Sequence, residues 1–232
     1  MSTLRLSQTF WFSSDSHLSN KIFGRAVVIV VSGLLVGCSL LSGNSGEEPR
    51  QERGVDPSGV SYVADGVCAE CHEEAVAAWQ NSHHDLAMQD ATSETVKGDF
   101  DDTTFTHFGV TSRFFREGER FFVNTEGPDG ELADFELLYT FGVEPLQQYL
   151  SPFPGGRLQS LSIAWDTEKK AWFHLYPDER IMPEDPLHWT GRYQNWNHQC
   201  AACHSTDLRK RYDRDSDTYR TTWAEIDVGC QA

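Results

Sequence analysis

The stretch CAECHEEAVAAWQNSHHDLAM, residues 68–88, sets the reading of the whole chain. It opens with Cys68-Ala69-Glu70-Cys71-His72, a C-x-x-C-H unit. Two thiols separated by two residues can each add to one of the two vinyl groups of a haem, giving two thioether bonds. The histidine that follows lies under the ring and offers a nitrogen to the iron. The unit recurs at Cys200-Ala201-Ala202-Cys203-His204. Two haem c groups are therefore expected, held by Cys68, Cys71, Cys200 and Cys203, with His72 and His204 as iron ligands.

C-x-x-C also serves zinc and dithiol chemistry. The pairs at 68–71 and 200–203 stand much farther apart than the roughly 15–20 residues usual between paired zinc knuckles. Zinc would not require histidine after both pairs either. A four-cysteine zinc site and two dithiol or disulfide pairs remain the alternatives to haem.

Composition frames the molecule. The 232 residues are 39% hydrophobic and 23% charged, enough for one or two globular units with a true core. The formal net charge is −16, which opposes nucleic acid and anionic lipid and favours a partner with a basic docking surface, or simply keeps the chain soluble. Near the start, Lys21 and Arg25 precede an apolar run from Ala26 to Gly37. This run is short of the roughly 20 residues of a spanning helix and reads as an export signal over 1–37. Leu35-Val36-Gly37-Cys38 resembles the lipobox of bacterial lipoproteins, which implies cleavage before Cys38 and lipid on its thiol. Ser39 in place of Asp then points to the outer membrane, facing the periplasm. An ordinary signal peptide with a chance cysteine is the alternative. Residues 38–60, rich in Ser, Gly, Glu and Pro, should form a flexible tether.

Beyond the tether, residues 61–99 read as a first haem module. Its sequence after Cys71 favours a helix, with His72, Val76, Trp79 and His83 on one face. A continuous helix would put His83 and His84 roughly 17 Å from His72, out of reach of the far side of the same haem. Residues 100–182 read as an antiparallel β-meander, with strands at 111–116, 120–125, 132–141, 157–165 and 171–176 and a shorter helical or looped piece around 145–150. Phe114, Phe115, Phe121 and Phe122 should pack across neighbouring strands. His107 and His174 read as structural. Residues 183–232 read as a second haem module, in which Trp189, Tyr193 and Trp196 suit either a haem face or aromatic core. His188 has room to reach iron, whereas His198 lies too close to Cys200. The expected fold class is α+β, with haem-dominated helical or irregular modules flanking the meander.

Cys68–His72 followed by Trp79-x-x-Ser82-x-His84-x-x-Ala87-Met88 resembles the first haem module of multihaem cytochromes of the c-554-like type. Residues 139–150, 172–177 and 189–195 are similar to large bacterial members, which continue into further haem sites and tetratricopeptide repeats. The resemblance implies covalent haem c, irons held by two histidines, and electron transfer in the periplasmic space. In that family His84 matches the histidine that ligates iron from outside its own motif. Cys230 would open a third motif, so the chain is expected to be the amino-terminal fragment of a longer protein. The expected function is electron carriage. The alternatives are a reductase or oxidase of small nitrogen or sulfur compounds with one open haem site, or a module whose β region recruits a partner.

Overall fold

The computed structural model describes residues 62–232. The export signal, Cys38 and the tether lie outside the described residues. Strands dominate what is described, and they are not flanked by helical modules. The helices α1 (Asp65–Cys68), α2 (Glu73–Trp79), α3 (Trp196–Gln199) and α4 (Ala201–His204) have 4, 7, 4 and 4 residues. This overturns the expectation of haem-dominated helical modules around a meander: the fold is mainly antiparallel β, and the motif segments are short turns laid on its sheets. Helices this short cannot stand by propensity alone and depend on what they pack against.

Among the described residues twelve strands are formed. They are β1 (Met88–Asp90), β2 (Thr103–His107), β3 (Val110–Glu117), β4 (Arg120–Glu126), β5 (Leu132–Leu137), β6 (Tyr139–Phe141), β7 (Leu146–Phe153), β8 (Arg157–Ser160), β9 (Ile163–Asp166), β10 (Ala171–His174), β11 (Tyr212–Asp213) and β12 (Thr218–Tyr219). One sheet is the meander β2-β3-β4-β5. A second runs β1-β6-β7-β9-β10 with β8 also paired to β7, and β11-β12 make a separate hairpin.

The four phenylalanines divide by strand alternation. Phe114 and Phe121 turn inward, while Phe115 and Phe122 face each other on the outer side, their rings stacked 5.4 Å apart. The Arg113 and Arg120 guanidinium groups cover Phe115 and Phe122 at 4.4 and 4.8 Å, so the outer pair is buried by cations instead of core. Inside, the two sheets share one aromatic core. Phe114 of β3 stacks on Trp172 of β10 at 3.6 Å, and Phe100 meets Phe114, Phe121, Tyr149 and Trp172 edge to face. Gly98 is needed there, because a Cβ would lie 2.6 Å from both the Trp172 ring and the Tyr149 hydroxyl.

Residues 146–150, expected as a helix or loop, are instead part of the central strand β7. Tyr149 belongs to the aromatic core, whereas Leu150 faces the opposite side and joins Met88, Leu158, Trp196 and Ala201 in a second core. Buried on both faces, the strand shows no clean alternation. Gln147 further obscures the pattern. It is fully buried, its carbonyl oxygen accepts from Lys97 N and the Tyr149 hydroxyl, and its amide donates to Thr95 O and Gly142 O. Strands β1 and β2 were also not anticipated. β1 pairs with β6, so the end of the first motif segment is hydrogen-bonded directly into the sheet.

Between the sheets a cavity of about 40 Å³ is lined in part by His107, His174 and His188. His107 and His174 stack 4.0 Å apart. Burial, together with His107, pushes the His174 imidazole down to about 4, with His188 and Arg180 acting the same way and the Tyr176 backbone opposing. The folded state thus takes up this proton later than the unfolded chain, whose histidine titrates near 6.5. Stability from this group should be full above that pH and decline as pH falls toward 4. Denaturant unfolding followed from pH 7 to 4 checks this: His174→Asn should flatten that part of the profile by up to one proton, and an unchanged slope would contradict it.

Candidate haem attachment sites

The first motif folds as α1 and the turn after it. Asp65 to Cys68 make the helix, and the His72 N–H donates to Cys68 O at 2.9 Å. His72 then sits at the amino-terminal cap of α2. The helix stops at Trp79, earlier than its face of His72, Val76, Trp79 and His83 required. Asn81 takes a left-handed conformation, its N–H donates to Asp85 Oδ2, and Ser82 Oγ accepts from the His84 and Asp85 N–H groups. These side-chain turns satisfy the backbone in place of a further helical turn. His83 and His84 therefore lie off the helix, both exposed.

The second motif is better buried. Asn195 Oδ1 accepts from the His198 N–H at the start of α3, and the Cys203 N–H closes a turn onto Cys200 O at 3.0 Å. Cys200 and the fully buried Ala201 pack in the second core, while Cys203 is exposed. Buried Asn197 clamps this segment to β8: its Oδ1 accepts from Leu158 N, and its amide donates to Gly156 O and Thr221 Oγ1. His204 lies 4.3 Å from the Phe141 ring, with Nδ1 buried and lacking a hydrogen-bond partner. Burial lowers its pKa, against the Ala87 backbone, so the neutral, ligating form of the imidazole is favoured. Burial and Cys203 raise the Cys200 thiol.

Residues 225–231 cross the first motif as a strap. Trp79 Nε1 donates to Val228 O at 2.8 Å, Val228 N to His84 O at 3.1 Å, and Cys230 N to Asp65 Oδ1 at 2.9 Å. Val63 N donates to Gln231 Oε1 and Asp65 N to Glu225 Oε1. The strap brings Cys230 beside Cys68: their sulfurs and an Asp65 oxygen lie within 4.8 Å of one another. Loss of solvation and the Asp65 carboxylate push the Cys230 thiol up to about 11. The pairing of strap with motif was not legible in the sequence, because Asp65 and Glu225 are far apart in the chain and neither belongs to a motif.

The other histidines divide clearly. His188 is 5% exposed, with Nδ1 hydrogen-bonded to Thr190 Oγ1 and Nε2 3.6 Å from Glu126 Oε2, inside the sheet cavity. It is thus engaged far from the role its spacing allowed. Trp189 and Trp196 are core residues, and Tyr193 is exposed.

The residues present fit covalent haem better than the alternatives. The five described cysteines are all free, and the groups among the described residues that could hold a metal ion include neither Cys200 nor Cys203. The two pairs are therefore not assembled into one zinc site. α2 buries none of its residues, and Val63 and Val67 beside the first motif are 38% and 55% exposed. A seven-residue helix with so little packing calls for a large apolar partner, and a haem bound at Cys68 and Cys71 would supply it.

Residues 67–106, from the first motif through most of β2, match the family model described as cytochrome c554 and c-prime. No curated protein and no solved structure matches the chain. The family match supports a c-type cytochrome, an electron carrier that binds haem c covalently.

Proposed function

We propose that this chain is a multihaem electron carrier whose irons are each held by two histidines. The observation that carries the proposal is the recurrence of C-x-x-C-H, each copy closing a turn from its first cysteine, with the first copy inside the segment that matches the cytochrome family. Cys68 and Cys71 attach one haem and Cys200 and Cys203 another, with His72 and His204 as iron ligands and Cys230 a further attachment thiol. A haem with both axial positions filled cycles between ferric and ferrous iron without binding a substrate. Around the second motif, burial favours the neutral form of His204, and the chain as a whole is acidic. The net charge of −16 favours a redox partner with a basic docking surface.

His84 is the proposed second ligand of an iron outside its own motif. Its exposed side chain is unencumbered, and its backbone carbonyl is tied to Val228, two residues before Cys230. Cys38 is proposed to carry lipid, which would hold the module at the periplasmic face of the outer membrane. A single acyl chain gives only marginal binding, so stable anchoring would need the several chains of a bacterial lipoprotein.

Expression in a host with cytochrome c maturation tests attachment. Cys71→Ala and Cys203→Ala should each lose one haem by pyridine haemochrome assay and intact mass; unchanged haem in both variants would refute the proposal. His84→Ala should convert part of the low-spin absorption to high-spin while His83→Ala leaves it unaltered, and a wholly low-spin His84→Ala protein would remove His84 from the ligand set. Labelled palmitate should enter the wild-type chain and not Cys38→Ser; equal labelling would exclude the anchor.

A further inference from the structure

We infer that Asp65, Glu225 and Asp227 form a binding site for a hard divalent cation, calcium in the first place, which fastens the strap to the first motif. One carboxylate oxygen from each residue lies within 4.8 Å of the other two. Clustered acids alone would mean little on a chain of this charge. Here, however, three oxygens (Asp65 Oδ2, Glu225 Oε2 and Asp227 Oδ1) are buried without a hydrogen bond of good geometry, the Tyr62 hydroxyl being the one neutral donor that approaches Glu225. Asp65 is only 8% exposed. Its other oxygen is occupied by the Cys230 N–H, and Glu225 Oε1 by the Asp65 N–H, so these two side chains are held by one oxygen and leave the second free.

Burying an unpaired carboxylate is costly, and placing three beside one another adds mutual repulsion. A cation among them removes both penalties. The donor set consists of oxygen only, which matches calcium or magnesium and not zinc, whose sites favour nitrogen and sulfur. Calcium accepts irregular carboxylate sites at longer bond lengths, whereas magnesium demands a near-ideal octahedron and keeps its water.

The backbone of Gly229 packs directly against the site. A Cβ at Gly229 would collide with Glu225 Oε2 and lie 2.5 Å from Asp65 Oδ2, so only glycine keeps the free oxygens clear. Thr206, directly after the second motif, holds the loop: its hydroxyl donates to Asp227 O and accepts from the Gly229 N–H. The site thus joins the first motif through Asp65 to the segment following the second. Its support is independent of how many haems the chain binds.

The haem-loaded protein, stripped with EGTA and dialysed, should bind one calcium per chain when titrated calorimetrically with CaCl2, bind MgCl2 more weakly, and melt at a higher temperature with calcium present. Asp227→Asn should weaken calcium binding about tenfold or more, since affinity follows the ligand charge count. In EGTA it should melt no lower than wild type, because it relieves repulsion. Glu225→Gln should behave alike and serves if Asp227→Asn does not fold. No saturable calcium binding and no melting shift in the wild type would overturn the inference, as would undiminished binding in the variants. Tight zinc binding without any response to calcium would do the same. Haem content measured on the same samples separates failure of this site from failure of haem attachment.

Discussion

Burial of β7 on both faces is the constraint on which the rest depends. Tyr149 and Gln147 commit one side to the aromatic core, and Leu150 commits the other to the core beneath the second motif. The sheet is therefore an internal wall. On one side it closes a sandwich with the meander, and on the other it offers the apolar floor that Trp196, Ala201 and Cys200 need. Sheets packed face to face normally leave their outer faces to water. Here the outer face of the six-stranded sheet carries the second C-x-x-C-H segment.

That arrangement explains the different character of the two motifs. The second is anchored from below by core packing and from the side by Asn197, so its turn is positioned by the protein. The first is joined to the sheet through the pairing of β1 with β6 and is held from above by the strap. Its helix has no fully buried residue, only the half-buried Val76 and Trp79. On elementary grounds such a segment gains its order from whatever binds it. Covalent haem and a cation at the strap would act on the same weak point from opposite ends.

The two C-x-x-C-H motifs stood out in the sequence because they are local: two thiols and an imidazole lie at fixed spacing within five residues. The first part of the meander was legible too, since its stretches are rich in aromatic and apolar residues and its turns bear Gly118 and Gly130 in left-handed conformations, but β6 to β10, read as its continuation, belong to the second sheet. The fold class was misread for a physical reason. Helix-forming residues after Cys71 suggested a helical module, but the side chains of Ser82 and Asp85 satisfied the backbone in turns and the helix ended at Trp79. β7 was hidden because burial on both faces erases the period of two, and because a buried glutamine looks like a surface residue until its four partners are known. Long-range polar contacts, such as Asp65 with Cys230, leave no trace in spacing at all.

The charge of the chain follows a related logic. A surface at −16 can repel itself without harm while its carboxylates remain hydrated, and most of the acidic groups here are exposed or paired to a nearby Arg or Lys at the rim of a sheet. Such pairs are worth little individually. Asp65, Glu225 and Asp227 are different because one oxygen of each has lost its water without gaining a hydrogen bond of good geometry. The Gln147, Gln159 and Asn197 networks show buried polar groups closely satisfied, whereas at the strap three unsatisfied carboxylate oxygens stand side by side. They lie where the strap must hold, so the local cost of burying them is tied to the contact that positions Cys230 beside the first motif. A bound cation would turn that repulsion into the attraction that holds the strap in place.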